Sequence, residues 1–223
     1  MNFGEWDLGQ WIVIGLCIFL LAWYVVAAYL NRKRGILIYR WIRDGLEKIG
    51  KLSEVSWIGS SGSGAQIAVK RATAPFQKIE VVFLLESREL LPLWLFNLLR
   101  NKRDEMILKA WLRNSPPLEL EVARKRDRSF AKLLAHDPKR PFQLVSGLEQ
   151  FQIAYRGKAN PESLEKLEAF MAREGATVQR ISLGRKAPHL AVRVFISPLM
   201  SSPSEEFFSS LQAWLQSISL VKA

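Results

Sequence analysis

Cysteine and histidine are nearly missing from this 223-residue chain, which has one of the first and two of the second. A lone Cys17 excludes an intrachain disulfide and any zinc site built on several thiolates, in keeping with a reducing compartment. His136 and His189 belong to no H-E-x-x-H pattern, and neither a G-x-S-x-G elbow nor a Walker loop is present. The sequence therefore offers no catalytic, cofactor-binding or metal-ligating set, and no cofactor is expected.

Charge is missing from residues 11 to 30, WIVIGLCIFLLAWYVVAAYL. At about 1.5 Å of helical rise per residue such a run matches a hydrocarbon core roughly 30 Å thick. Basic residues are missing from everything before Arg32, where Glu5 and Asp7 stand instead. A cleaved signal peptide needs a positive start, so the absence favours a retained transmembrane helix over cleavage near Ala28. Arg32, Lys33, Arg34, Arg40 and Arg43 crowd the other flank. The positive-inside rule then predicts the N-terminus outside and the rest of the chain in the cytoplasm. Trp11 and Tyr29, near the two ends of the run, suit the headgroup level.

All 32 basic residues but only 19 of the 21 acidic ones follow position 30, which leaves this part with a net charge of +13. Beside a membrane, that charge points to anionic lipid headgroups as the nearest partner. Basic clusters fall at Lys70-Arg71, Arg100 to Arg103, Arg124 to Arg128, Lys139-Arg140 and Arg185-Lys186. Nucleic acid is compatible with the charge, but no recognised motif supports it.

What is present after residue 30 is well patterned. Ile38, Trp41, Ile42, Leu46, Ile49 and Leu52 recur at helical spacing over 31–52, which predicts an amphipathic helix. Lying in the membrane interface, it would bury Trp41 and let Arg40 and Arg43 reach outward; docked on the domain, it would simply continue the anchor. The run Gly59-Ser60-Ser61-Gly62-Ser63-Gly64 reads as a hairpin loop, since no Lys-Ser or Lys-Thr follows it.

Alternating strands are expected at 78–85, 106–112, 118–123, 151–155, 176–183 and 189–196, with shorter ones at 55–58, 66–70 and from Phe142. Helices are expected near 90–103 with Ser87 as cap, and over 127–135. Another should run over 162–174 between Asn160-Pro161 and Gly175, and a last one from a capping box at Ser202–Glu205. Glu119 and Glu121 share one strand face.

The elements repeat in order at offsets of about 72 to 77 residues, pairing Ile79 with Ile153, Leu118 with Leu190 and Phe130 with Phe207. The expected fold is α+β: an N-terminal transmembrane helix, then a cytoplasmic tandem repeat of β-β-α-β-β-α units. The boundaries are 1–10 outside, 11–30 spanning, 31–52 juxtamembrane, 53–140 first repeat and 141–223 second repeat. Within the first repeat, Leu93, Trp94 and Phe96 belong to a segment that is apolar on nearly every face, so it is expected to be sandwiched between the sheet and a neighbouring helix or repeat; the other reading makes them candidates for contact with a protein partner or the membrane. The expected function is a membrane-anchored scaffold or regulator that binds an unidentified protein partner or lipid headgroups. A tethered nucleic-acid binder is the alternative, and an enzyme of unrecognised type the third.

Overall fold

The computed structural model describes residues 7–125, 127, 130, 141–145 and 150–219. The chain is α+β, with one long apolar N-terminal helix and one antiparallel sheet. Helix α1 runs without a break over Leu8–Glu47, 40 residues, so the spanning and juxtamembrane helices expected from the sequence are one rod. Its length is about 60 Å, some twice the hydrocarbon thickness. The first half is exposed and apolar enough to cross a membrane. In the second half Ile38, Ile42 and Leu46 are fully buried, joined beyond the helix by Ile49.

This corrects the interfacial reading of the amphipathic stripe. A hydrophobic stripe gains as much from a protein core as from lipid, and here the core takes it. Trp41 goes with it: its indole lies 6.1 Å from Phe208 and 6.3 Å from Phe207, and its Nε1 donates to the Ser202 carbonyl at 2.9 Å. Gly45 makes room for this contact, since a Cβ there would stand 2.4 Å from the Phe208 ring.

The remaining elements are β1 (Glu54–Trp57), β2 (Gly64–Val69), β3 (Phe76–Leu84), α2 (Leu91–Leu99), β4 (Glu105–Leu112), β5 (Leu118–Arg124), β6 (Gln143–Val145) and β7 (Phe151–Gly157). They are followed by α3 (Pro161–Glu174), β8 (Val178–Leu183), β9 (Leu190–Phe195), the short α4 (Ile196–Leu199) and α5 (Ser204–Ser219). The strands form a single sheet in the order β1-β2-β3-β4-β9-β8-β5-β7-β6.

The expected tandem repeat is not borne out: among the described residues β1, β2 and β3 precede α2 in the first unit and β6 and β7 precede α3 in the second, and the order of strands in the sheet differs as well. β3 pairs directly with β4, whereas β5 separates β7 from β8 by pairing with both. A strand read as part of the first unit thus completes the second, and one hydrophobic core runs from Ile38 to Ile218. Antiparallel strands impose no crossover rule, so β5 can take any edge that its buried Leu118, Leu120 and Val122 complete. Most of the helix expected over 127–135 lies outside the described residues, as do Lys139, Arg140 and His136. Phe130 is described, and it is buried with Ala123 and Ala154.

One face of the sheet is covered by a helical layer in which α5 packs against both α1 and α3, through Phe170, Phe207 and Trp214. Helix α3 starts as its sequence requires: the Asn160 side chain accepts from Glu162 N at 3.2 Å, Pro161 opens the first turn, and Gly175 is the C-cap. The other caps differ. Helix α2 has Leu90 at its N-cap, while Ser87 donates to Glu89 instead. At α5 the Glu205 carboxylate pairs with Lys48 across to α1.

The opposite face carries charged residues in cross-strand pairs. Arg156 Nε donates to Glu119 at 2.7 Å, Arg180 Nη2 to Glu121 at 3.0 Å, and Arg193 Nε to Glu105 at 2.9 Å. The glutamates that share the β5 face are therefore half-buried partners of arginines.

Candidate functional site

Helix α1 runs alongside β2, and this direction decides which end of the sheet lies near its apolar half. Gly35 sits against the Gly/Ser hairpin between β1 and β2, where a Cβ would stand 1.8 Å from the Ser61 carbonyl oxygen. At the other end, Gly50 bridges to Ala72, and Thr73 N donates to the Ile49 carbonyl at 2.7 Å. The sheet end nearest the apolar half of α1 thus holds the hairpin, the connection from β3 through α2 to β4, and α4.

At this end a polar cluster ties the three together. Asn31, buried at the first polar position after the apolar run, donates to the Glu86 carbonyl at 2.8 Å and accepts from Arg88 Nη1 at 2.7 Å. Asp104, equally buried, receives Arg88 Nη2 at 2.9 Å, pairs with Arg34 Nε at 2.8 Å, and accepts from Glu86 N at 2.8 Å. Arg34 also donates to Ser197 on α4 at 2.6 Å. Two cations on one buried carboxylate spread the cost of desolvating it, and each additional bond fixes the roll of α1 relative to the sheet.

From this cluster residues 86–94 climb along α1 toward its N-terminus. Trp23 Nε1 donates to the Arg88 carbonyl at 3.0 Å, and its ring lies 5.4 Å from Trp94. Trp23 stands eight residues before Asn31, which places α2 about 12 Å up the apolar half. Leu93, Leu95, Phe96, Leu98 and Leu99 are exposed there, Leu99 to 83 % of its surface, while the one polar side chain of α2, Asn97, is buried. Burying such side chains yields roughly 1.5–3 kcal/mol each, so this patch is a large unused driving force.

A basic rim borders the patch. Arg32 and Lys33 are exposed on α1, and Arg100, Lys102 and Arg103 follow α2. Arg100 stacks over Phe96 at 4.4 Å, and Arg103 over Phe195 at 5.4 Å. Between α1 and the hairpin a groove of about 640 Å³ is lined by Tyr24, Ala28, Arg32, Trp57, Ser60 and Glu89 among others. The Gly/Ser run is a hairpin loop pressed onto α1.

Among the residues singled out from sequence, Trp11 and Tyr29 lie on the exposed apolar half, about 27 Å apart along the helix. Arg32 and Lys33 follow at the rim, whereas Arg34 turns inward to Asp104. Arg40 is exposed on the flank of the docked half, and Arg43 pairs with Asp44 at 2.8 Å. That hydrogen bond holds the Arg43 guanidinium above its ordinary pKa. Helix α2 is not sandwiched as its all-round apolar sequence leads one to expect: Leu93 and Phe96 are exposed, whereas Trp94 faces Trp23. Asn31, Arg88, Asp104 and Trp23 carry much of the site but have no sequence pattern of their own. Only Asn31, closing an apolar run, gives a local signal.

Elsewhere, His189 Nδ1 accepts from Leu112 N at 3.0 Å and joins β9 to β4. Arg124 holds the carbonyls of Ala176 and Val178 beyond α3, at 2.8 and 3.1 Å. No family model matches this chain, and no curated protein does.

Proposed function

We propose that the chain is a single-pass membrane protein with its N-terminus outside and its sheet domain in the cytoplasm. It acts as a scaffold that holds the sheet domain in a fixed pose beside an anionic leaflet, with its basic rim at the membrane and its charged sheet face turned to a protein partner. The observation that carries this reading is the unbroken α1: its exposed apolar half passes, within one turn, into a half locked in the core. A helix embedded at both ends transmits its orientation, because no flexible linker intervenes. The acidic N-terminal flank and the basic residues from Arg32 onward support the orientation. The rim of Arg32, Lys33, Arg100, Lys102 and Arg103 suits anionic headgroups, each charge adding about 1 kcal/mol near the surface. The arginines of the charged sheet face are matched by glutamates, which favours a protein partner there over nucleic acid.

Protease protection of tags at the two termini in sealed vesicles tests the topology. The expected result is an external N-terminal tag and an internal C-terminal one, and cleavage near Ala28 or an external C-terminus would overturn it. Lipid selectivity tests the rim. Spin-labelled phosphatidylserine should associate with the reconstituted protein more strongly than phosphatidylcholine, and the preference should fade with salt. Replacing Arg100, Lys102 and Arg103 with Gln should weaken the preference.

A further inference from the structure

Resting on the membrane-anchor reading, we infer that α2 is itself immersed in the cytoplasmic leaflet, beside the spanning half of α1, so that the domain meets the bilayer at two points. Its place argues for this. Trp94 packs against Trp23, their rings tilted by 38° with centroids 5.4 Å apart, about 12 Å up the apolar half from Asn31. If the apolar half of α1 lies in hydrocarbon, α2 cannot be held at that height and stay in water.

Its chemistry agrees. From Leu90 to Leu99 there is no charge, and the outward side chains Leu93, Leu95, Phe96, Leu98 and Leu99 form an apolar surface continuous with that of α1. Nine residues span about 14 Å, so α2 stays within one leaflet. Arg88, held by Asp104, and Glu89 precede it, and the exposed Arg100, Lys102 and Arg103 follow it. This is how a segment enters and leaves one leaflet on the same side, with arginines reaching back to the headgroups.

The backbone agrees as well. Hydrocarbon tolerates no open carbonyls, and in the last turn of α2 those of Phe96, Asn97 and Leu98 are closed. Arg100 N donates to Phe96 O at 3.2 Å, Asn101 N to Leu98 O at 3.0 Å, and Lys102 N to Asn97 O at 3.0 Å. Asn101 takes the left-handed conformation, φ 52°, that this closure needs. Lipid is chosen over a protein occupant because the patch continues the surface of α1 and ends in cations.

The lone cysteine makes the test direct. The full chain is reconstituted in mixed phosphatidylcholine–phosphatidylglycerol vesicles, and a nitroxide on native Cys17 reports α1. In a Cys17→Ser background, labels on Leu99→Cys or Phe96→Cys report α2, and one on Lys109→Cys reports the open sheet. Accessibility to oxygen, which concentrates in lipid, is compared with accessibility to an aqueous nickel chelate. The expected result is a lipid-like ratio at 17, 96 and 99, severalfold above that at 109. If 17 reads as lipid while 96 and 99 read as water, the α2 inference falls and the anchor stands. An aqueous reading at 17 overturns both. If neither reagent reaches 96 and 99, protein covers α2, and the inference falls again. Leu99 is so exposed that its replacement should leave folding intact, which keeps the test open if Phe96→Cys misfolds.

Discussion

At the residue scale, glycines on α1 show how far packing can reverse an intrinsic preference. Gly to Ala inside a helix normally gains up to about 1 kcal/mol. At Gly35 the added Cβ would overlap the Ser61 carbonyl, a backbone atom that cannot swing away; at Gly45 it would meet the Phe208 ring, which can partly rotate. Gly35→Ala is therefore expected to destabilise by about 1–3 kcal/mol and Gly45→Ala by less, whereas Gly15→Ala, with open space around it, should be neutral or slightly stabilising. Urea midpoints of the protein in micelles check the order. Asp104→Asn tests the polar cluster in the same assay. It leaves Arg34 and Arg88 without their shared carboxylate, and since both guanidiniums are partly exposed the expected loss is about 1–3 kcal/mol rather than the larger cost of a sealed site.

At the element scale, the stripe on the second half of α1 belongs to the core, and its substitutions should behave accordingly. Ile42→Ala is expected to cost about 2–4 kcal/mol, whereas Arg40→Gln on the exposed flank should change stability by less than about 0.5 kcal/mol. Equal small effects in a urea titration would return the stripe to the membrane interface. Strand β1 is an exposed edge of the sheet, paired antiparallel with β2, and the ion pair of Glu54 with Lys70 reinforces that pairing. The hydrogen bond from Lys70, backed by its charge, holds the Glu54 carboxyl below its ordinary range. A lowered folded pKa stabilises above the unfolded value, about 4.3, and the benefit disappears as pH falls through the folded value. Amide exchange in β1, corrected for intrinsic rates, should therefore lose protection below about pH 4, and Lys70→Gln should remove that dependence.

At the scale of the whole molecule, β5 decides how the halves depend on each other. Because it lies between β7 and β8, residues 141–223 lack a central strand of their own sheet. Expressed alone they should not fold, and co-expression with residues 1–140 should restore a dispersed amide spectrum to the pair. A folded 141–223 fragment would instead support two independent repeats.

The sequence by itself determined the local elements, because strand alternation, the Asn160-Pro161 start and Gly175 stop of α3, and the charge-free run at 11–30 each encode their own conformation. It also placed the exposed apolar half, Trp11, Tyr29 and the basic flank, which depend only on hydropathy and order. Tertiary structure alone decided where amphipathic surfaces go. The stripe at Ile38, Ile42 and Leu46 suits lipid or core equally by pattern, and only the facing sheet and α5 settle it. The same holds for β5, whose buried Leu118, Leu120 and Val122 fit more than one edge, and for Asp104, whose partners lie 16 and 70 residues away. Local sequence carries no record of such distances, because the free energy that selects them comes from surfaces that meet only when the chain has folded.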